Sequence, residues 1–161
     1  MNTESFNFSP RALKAKELFE KGYNCAQATL LAFDDLTELP EDLAARLASP
    51  FGGGMARMRE VCGAISGAFM AYGAIYGKND PKDATSKAQQ YKELQTIANE
   101  FREINGSIVC RDLLGLTEKV SEPAPEKRTS EYYQKRPCGM LVAIATQILE
   151  NFIENKKKSL S

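Results

Sequence analysis

The chain has 161 residues, 43% of them hydrophobic and 26% charged, a balance that suits one compact soluble domain and excludes the low-hydrophobicity, high-charge regime of disorder. Its 21 basic residues match its 21 acidic ones, so no net field favours nucleic acid or an anionic membrane as a partner. It has no histidine. That removes Ser-His and Cys-His couples and mixed Cys/His zinc sites, and leaves thiolates, carboxylates, lysines, arginines and tyrosines to carry any proton or electron traffic.

Hydrophobic periodicity predicts helices from end to end, with no alternating run long enough for a strand. Residues 1–10 are polar and lack the apolar stretch of a secretory signal, so a cytoplasmic location with reduced thiols is expected. Ser9 and Pro10 mark the start of a first helix, with Ala12, Leu13, Ala15, Leu18 and Phe19 as its apolar stripe and Gly22 as its stop. Asn24 is the expected N-cap of a helix over 25–34, and a short helix is expected over about 41–48. Gly52, Gly53 and Gly54 read as a flexible hinge. A phosphate-binding loop is disfavoured because no Gly-Lys-Ser/Thr ending follows and no strand precedes.

Residues 61–77 carry no charge. Their length touches the lower bound for a membrane span, but Gly and Ala dominate over Leu and Ile, and Ser66, Tyr72 and Tyr76 lower the apolarity further, which predicts a buried central helix. Gly63, Gly67 and Ala71 recur every four residues beside Ala64 and Ala68. Another backbone can approach such a ridge closely, or the ridge leaves room for a bound group beside Cys62.

Asp80 and Pro81 open a long polar helix to about Asn105, with Ala84, Ala88, Tyr91, Leu94, Ile97, Ala98 and Phe101 as its expected buried stripe. Its charges, among them Lys87, Lys92, Glu93, Glu100, Arg102 and Glu103, read as a wet face. Ser107 caps a short helix containing Cys110, Leu113 and Leu114. Residues 117–130, with Pro123 and Pro125, read as a mobile connection, inert or at most a lid. Pro137 starts the last helix, whose inner face holds Leu141, Ile144, Ala145, Ile148, Leu149 and Phe152, and Lys156, Lys157 and Lys158 close it as a cap and solubilising tail. The expected architecture is therefore all-α: a single-domain antiparallel bundle of about six or seven helices around a Gly/Ala-rich central helix.

Four cysteines, Cys25, Cys62, Cys110 and Cys138, fall at or near predicted helix starts, and none belongs to a Cys-x-x-Cys pair. Unsatisfied backbone N–H groups and the positive end of a helix dipole favour a thiolate there. Asn24 ahead of Cys25 and Pro137 ahead of Cys138 make those two the expected low-pKa nucleophiles, with Cys62 and Cys110 as resolving partners. The bland alternative is four cysteines acting as small buried hydrophobes.

The segments Asn24-Cys25-Ala26, Cys62-Gly63-Ala64-Ile65-Ser66-Gly67, Cys110-Arg111-Asp112-Leu113-Leu114-Gly115 and Cys138-Gly139 follow one another with a Gly-rich stretch before the second. In that order and composition, residues 20–145 or so resemble the C_GCAxxG_C_C family of redox-active proteins. The family label reads Gly-Cys-Ala-x-x-Gly, whereas here Val61 precedes Cys62 and Gly63 stands between Cys62 and Ala64. The resemblance implies a small helical protein whose cysteines carry a redox role towards an electron donor or acceptor that it does not identify. The chain is also similar to a domain accompanying certain split-Soret cytochromes, and that similarity brings an iron–sulfur cluster, ligated by the same four cysteines, into consideration.

Three readings follow: a cytoplasmic protein using converging cysteines for thiol/disulfide exchange or electron transfer, a Cys-ligated iron–sulfur carrier, or a non-catalytic helical interaction module with buried cysteines. Neither nucleic acid nor membrane is expected as a partner, and assembly into a homo-oligomer is left open. The first two readings require distant helix starts to be gathered at one place.

Overall fold

Capping chemistry sets where the helices begin. Ser9 accepts the N–H of Ala12 at 3.1 Å, and Pro10, which has no N–H to satisfy, starts α1 (Pro10–Glu20). Asn24 and Gln27 form a reciprocal capping box at the head of α2 (Cys25–Leu31): Gln27 N–H donates to the Asn24 side chain at 2.9 Å and Asn24 N–H donates to the Gln27 side chain at 3.0 Å. There follow α3 (Asp34–Thr37), α4 (Glu41–Ala48), α5 (Gly63–Tyr76), α6 (Ala84–Asn105), α7 (Cys110–Leu113), α8 (Ser130–Lys135) and α9 (Cys138–Ser159). The computed structural model describes residues 6–117 and 120–161; residues 1–5 of the expected polar N-terminal segment and 118–119 of the expected connection lie outside the described residues.

The architecture is all-α and fits one domain, as the sequence predicts. Among the described residues nine α-helices stand where about six or seven were expected, and the additions are the four-residue α3 and the six-residue α8, too short to show a hydrophobic period. The one strand-like feature among the described residues is an isolated antiparallel bridge between Val61 and Val109. No helix among them is long and apolar enough to cross a membrane.

The uncharged segment forms α5, which starts at Gly63 and buries Gly63, Ala64, Ile65, Gly67, Ala68, Ala71 and Tyr72. Its small-residue ridge receives α2: a Cβ on Gly67 would lie 2.5 Å from the Ala26 carbonyl oxygen and 2.9 Å from the Thr29 Cβ. The ridge therefore serves close backbone packing. α1 packs chiefly on α9, and α9 in turn meets α2, α5 and α6.

The N-terminal half of α6 departs from expectation. Ala84, Ala88 and Tyr91 are exposed, Leu94 is half-buried, and the core begins only at Ile97, Ala98 and Phe101. Two of the four residues predicted to bury there are alanines, which offer little apolar area to hold that half down. Glu93 departs in the opposite sense. It is drawn off the wet face by Tyr72 of α5, Gln89 of α6 and Lys156 of α9, all of which donate to its carboxylate. Lys156 also lies 5.0 Å from the centre of the Tyr76 ring, so it joins the body rather than the expected solubilising tail.

The triple glycine is not a free hinge. Gly53 and Gly54 adopt φ of 66° and 71°, and Met55, Ala56 and Arg57 continue the left-handed conformation at 66°, 51° and 61°, with Arg59 again at 61°. Backbone bonds close the turn, among them Ala56 N–H to Pro50 O at 2.8 Å, Arg59 N–H to Gly53 O at 3.1 Å and Glu60 N–H to Gly54 O at 2.8 Å. Left-handed geometry costs about 1–2 kcal/mol for each residue that carries a Cβ, so the surrounding contacts must impose it. Its result is to turn Arg59 inward, where the residue is only 4% exposed.

Candidate thiol site

Each cysteine stands at a helix start. Cys25, Cys110 and Cys138 are the first residues of α2, α7 and α9, and Cys62 is the N-cap of α5. All four are free thiols, Cys25 half-buried and the others buried. The backbone ties two of them together, because Cys62 N–H donates to Ile108 O at 2.8 Å and Cys110 N–H to Glu60 O at 2.6 Å on either side of the Val61–Val109 bridge.

Glycines let the sulfurs approach. A Cβ on Gly63 would lie 2.9 Å from the Cys25 Cβ, and one on Gly54 would lie 2.6 Å from the Cys110 Cβ. The glycine directly after Cys62, where the sequence departs from the family label, is thus the residue that admits Cys25.

The ionisation of Cys25 and that of Cys138 are linked through side-chain hydrogen bonding between the two. The link moves them apart: Cys25, as donor to Cys138, is pushed well above the ordinary thiol value, with burial and the neighbouring sulfurs adding to the effect. Cys138 moves down, first through that hydrogen bond and then through Arg136, Arg128 and Arg59, which together outweigh its burial. Cys25 was expected to be a low-pKa nucleophile beside Cys138; its burial and the sulfurs around it act in the other direction. A helix start favours a thiolate, but of two thiols sharing one proton only one can give it up, and the arginines favour Cys138.

Burial pushes Cys62 up to about 12 against the opposing Ala64 and Ile65 N–H groups. Burial also raises Cys110, while Arg59, whose guanidinium nitrogen donates to Cys110 Sγ at 3.6 Å, acts in the other direction. Ionisation of the three other thiols would raise Cys25 further, and that of Cys110 and Cys138 would raise Cys62. Among the described residues, no three Cys, Asp or Glu side chains are placed to hold one metal ion.

Arginines and aromatics around the sulfurs are the part sequence reasoning missed. Arg128 donates to Phe19 O at 3.1 Å and Tyr23 O at 3.3 Å while its guanidinium lies 4.3 Å from the Phe19 ring centre and 5.0 Å from that of Tyr132. Arg136 pairs with Glu126 and lies over Tyr132 at 5.6 Å. Ser121 and Glu122, within the segment expected to be a mobile connection, are tied to the left-handed turn. Ser121 N–H donates to Arg57 O at 3.0 Å, Arg57 Nε to Glu122 O at 2.6 Å, and Arg59 Nε to Ser121 Oγ at 2.8 Å. Only Arg136, two residues before Cys138, carried a sequence signal; Arg59 and Arg128 sit in irregular backbone where no periodicity points inward.

Residues 23–152 match the family described as "Putative redox-active protein (C_GCAxxG_C_C)". The chain belongs to this family. The match takes in all four helix-start thiols. No curated protein and no solved structure matches the chain.

Proposed function

We propose that this C_GCAxxG_C_C protein is a cytoplasmic thiol–disulfide exchange protein in which Cys138 is the attacking thiolate and Cys25 the resolving thiol. The observation that supports the reading is the placement of Cys25 and Cys138 at the starts of α2 and α9, with three arginine charges acting on Cys138. It provides a thiol whose ionisation is favoured and a neighbouring thiol that keeps its proton.

The exchange balances without an added reductant. Cys138 thiolate attacks one sulfur of a partner's disulfide, breaks that S–S bond and expels a thiolate, which takes up a proton. Cys25 then gives up its own proton, attacks the Cys138 sulfur of the mixed disulfide and releases the second partner thiol. Two electrons pass from the cysteines to the partner, which leaves as two thiols, and the protein keeps a Cys25–Cys138 disulfide. Run backwards, the same steps oxidise a partner dithiol.

Anaerobic preparation followed by titration with one equivalent of a small disulfide tests the reading. The expected result is loss of two thiols per chain and a Cys25–Cys138 peptide pair on mapping. Cys25→Ser should stop at a mixed disulfide on Cys138, and Cys138→Ser should give neither product. Unchanged thiol counts in the oxidised protein would end the proposal, and stoichiometric iron and sulfide with visible absorption would replace it with the cluster reading.

A further inference from the structure

Arg59 is the buried charge that the exchange scheme above uses only through its field on Cys138. It is 4% exposed, it is held in the left-handed turn, and among the described residues no carboxylate lies within ion-pair distance of it. Its guanidinium instead donates to Cys110 Sγ at 3.6 Å and to Ser121 Oγ at 2.8 Å. A charge taken out of water is stable only beside a compensating group, and among the described residues the group its guanidinium meets that can become an anion is the Cys110 thiol. The arrangement is built on both sides, because Gly54 leaves the space into which the Cys110 Cβ fits and the Glu60 carbonyl anchors the Cys110 N–H.

We propose that Arg59 is a positioning residue that holds Cys110 as the second attacking thiol of the site, ready to take over the disulfide from Cys25 and Cys138. This rests on the exchange reading above. The step also balances. Cys110 gives up its proton to solvent and its thiolate attacks the Cys25 sulfur of the Cys25–Cys138 disulfide; the Cys25–Cys138 bond breaks as an S–S bond forms between Cys25 and Cys110, and Cys138 leaves as a thiolate. No electrons leave the protein in this step.

Attack at Cys25 is favoured over attack at Cys138 because the better leaving group is the sulfur whose thiolate is more stable, and the arginines stabilise Cys138. The charged and titratable groups acting on Cys110 are Arg59, Arg136 and Cys138, with Cys25 and Cys62 beyond them and the Glu60–Arg111 ion pair, 3.4 Å, on the flanking backbone. Cys62 has no guanidinium within hydrogen-bond distance among the described residues and remains the protonated member of the set. The consequence is a Cys138 thiolate regenerated for a second encounter while the oxidation is stored further in.

The experiment uses the full chain with Arg59→Gln and Arg59→Lys. After a pulse of one equivalent of a small disulfide and acid quenching, mapping should find Cys25–Cys110 alongside Cys25–Cys138 in the wild type. In Arg59→Gln the Cys25–Cys110 product should fall roughly tenfold in favour of Cys25–Cys138, and Arg59→Lys should restore most of it, a tenfold change corresponding to about one pKa unit of lost anion stabilisation. Iodoacetamide labelling of the reduced proteins at neutral pH should show Cys110 slowed by a similar factor in Arg59→Gln while Cys138 changes less.

An unchanged isomer ratio in a folded Arg59→Gln protein would overturn the proposal. Should that variant fail to fold, the wild type decides: labelling of Cys110 no faster than that of Cys62 would also overturn it. If no Cys25–Cys138 or Cys25–Cys110 disulfide forms in the wild type, the exchange reading fails instead, and the labelling ratio still reports on Arg59.

Discussion

A proton shared between two sulfurs is settled by what lies behind each of them. Behind Cys138 stand Arg136, Arg128 and Arg59, and behind Cys25 stand Cys62 and Cys110, whose negative charge would repel another thiolate. Cys25→Ala removes the donor from Cys138 and should slow its labelling by iodoacetamide at neutral pH roughly tenfold, the effect of about one pKa unit; a rate equal to that of the wild type would show that the arginines suffice alone. Because the Cys138 value is depressed, its reactivity persists below the ordinary thiol range and fades only as pH falls through the depressed value.

The four thiols and their helix-start positions were legible, since Asn24 and Pro137 are local signals that need no tertiary information. The sign of the Cys25 shift was not. It depends on which partner faces the arginines, and two of those arginines come from irregular backbone distant in sequence.

Among the elements, α5 illustrates what a pattern can and cannot say. Its uncharged run and its Gly/Ala ridge were both readable, but whether the ridge packs a helix or makes room for a ligand depends on what lies against it. The Ala26 carbonyl does. Gly67→Ala would place a methyl 2.5 Å from that oxygen, and overpacking of this kind costs about 1–3 kcal/mol; urea unfolding should show that loss, and a stability equal to the wild type would point to an α2 free to move aside. The left-handed turn was illegible for the opposite reason. Three glycines announce conformational freedom, whereas Met55, Ala56, Arg57 and Arg59 hold positive φ because hydrogen bonds back to residues 50–55 and the strap at Ser121 and Glu122 hold them there. No residue-by-residue propensity contains that constraint.

At the scale of the molecule, Glu93 fastens α6 to α5 and α9 through Tyr72 and Lys156. Burial works against its carboxylate, but Lys156, Tyr72 and Gln89 outweigh that cost and hold it below the usual carboxylate range. A depressed folded value means that the stabilisation is complete above the unfolded value of about 4.3 and is lost as pH falls through the folded one. Glu93→Gln should therefore lower stability by about 1 kcal/mol at pH 7 and by much less at pH 3, the modest figure reflecting a partly solvated pair; urea unfolding at the two pH values checks it, and an equal loss at both would reject the ionic account.

The packing partners of the helices needed the structure, because α1 and α9 stand at opposite ends of the chain and yet lie side by side. That neighbourhood has a sequel. A covalent link from Cys25 to Cys138 would enclose well over half of the polypeptide in a ring, and in the chain-entropy picture so wide a ring removes about 4–5 kcal/mol of freedom from the denatured ensemble. An oxidised molecule would then outlast its reduced twin under heat or protease, so its survival time would record the oxidant load it has met.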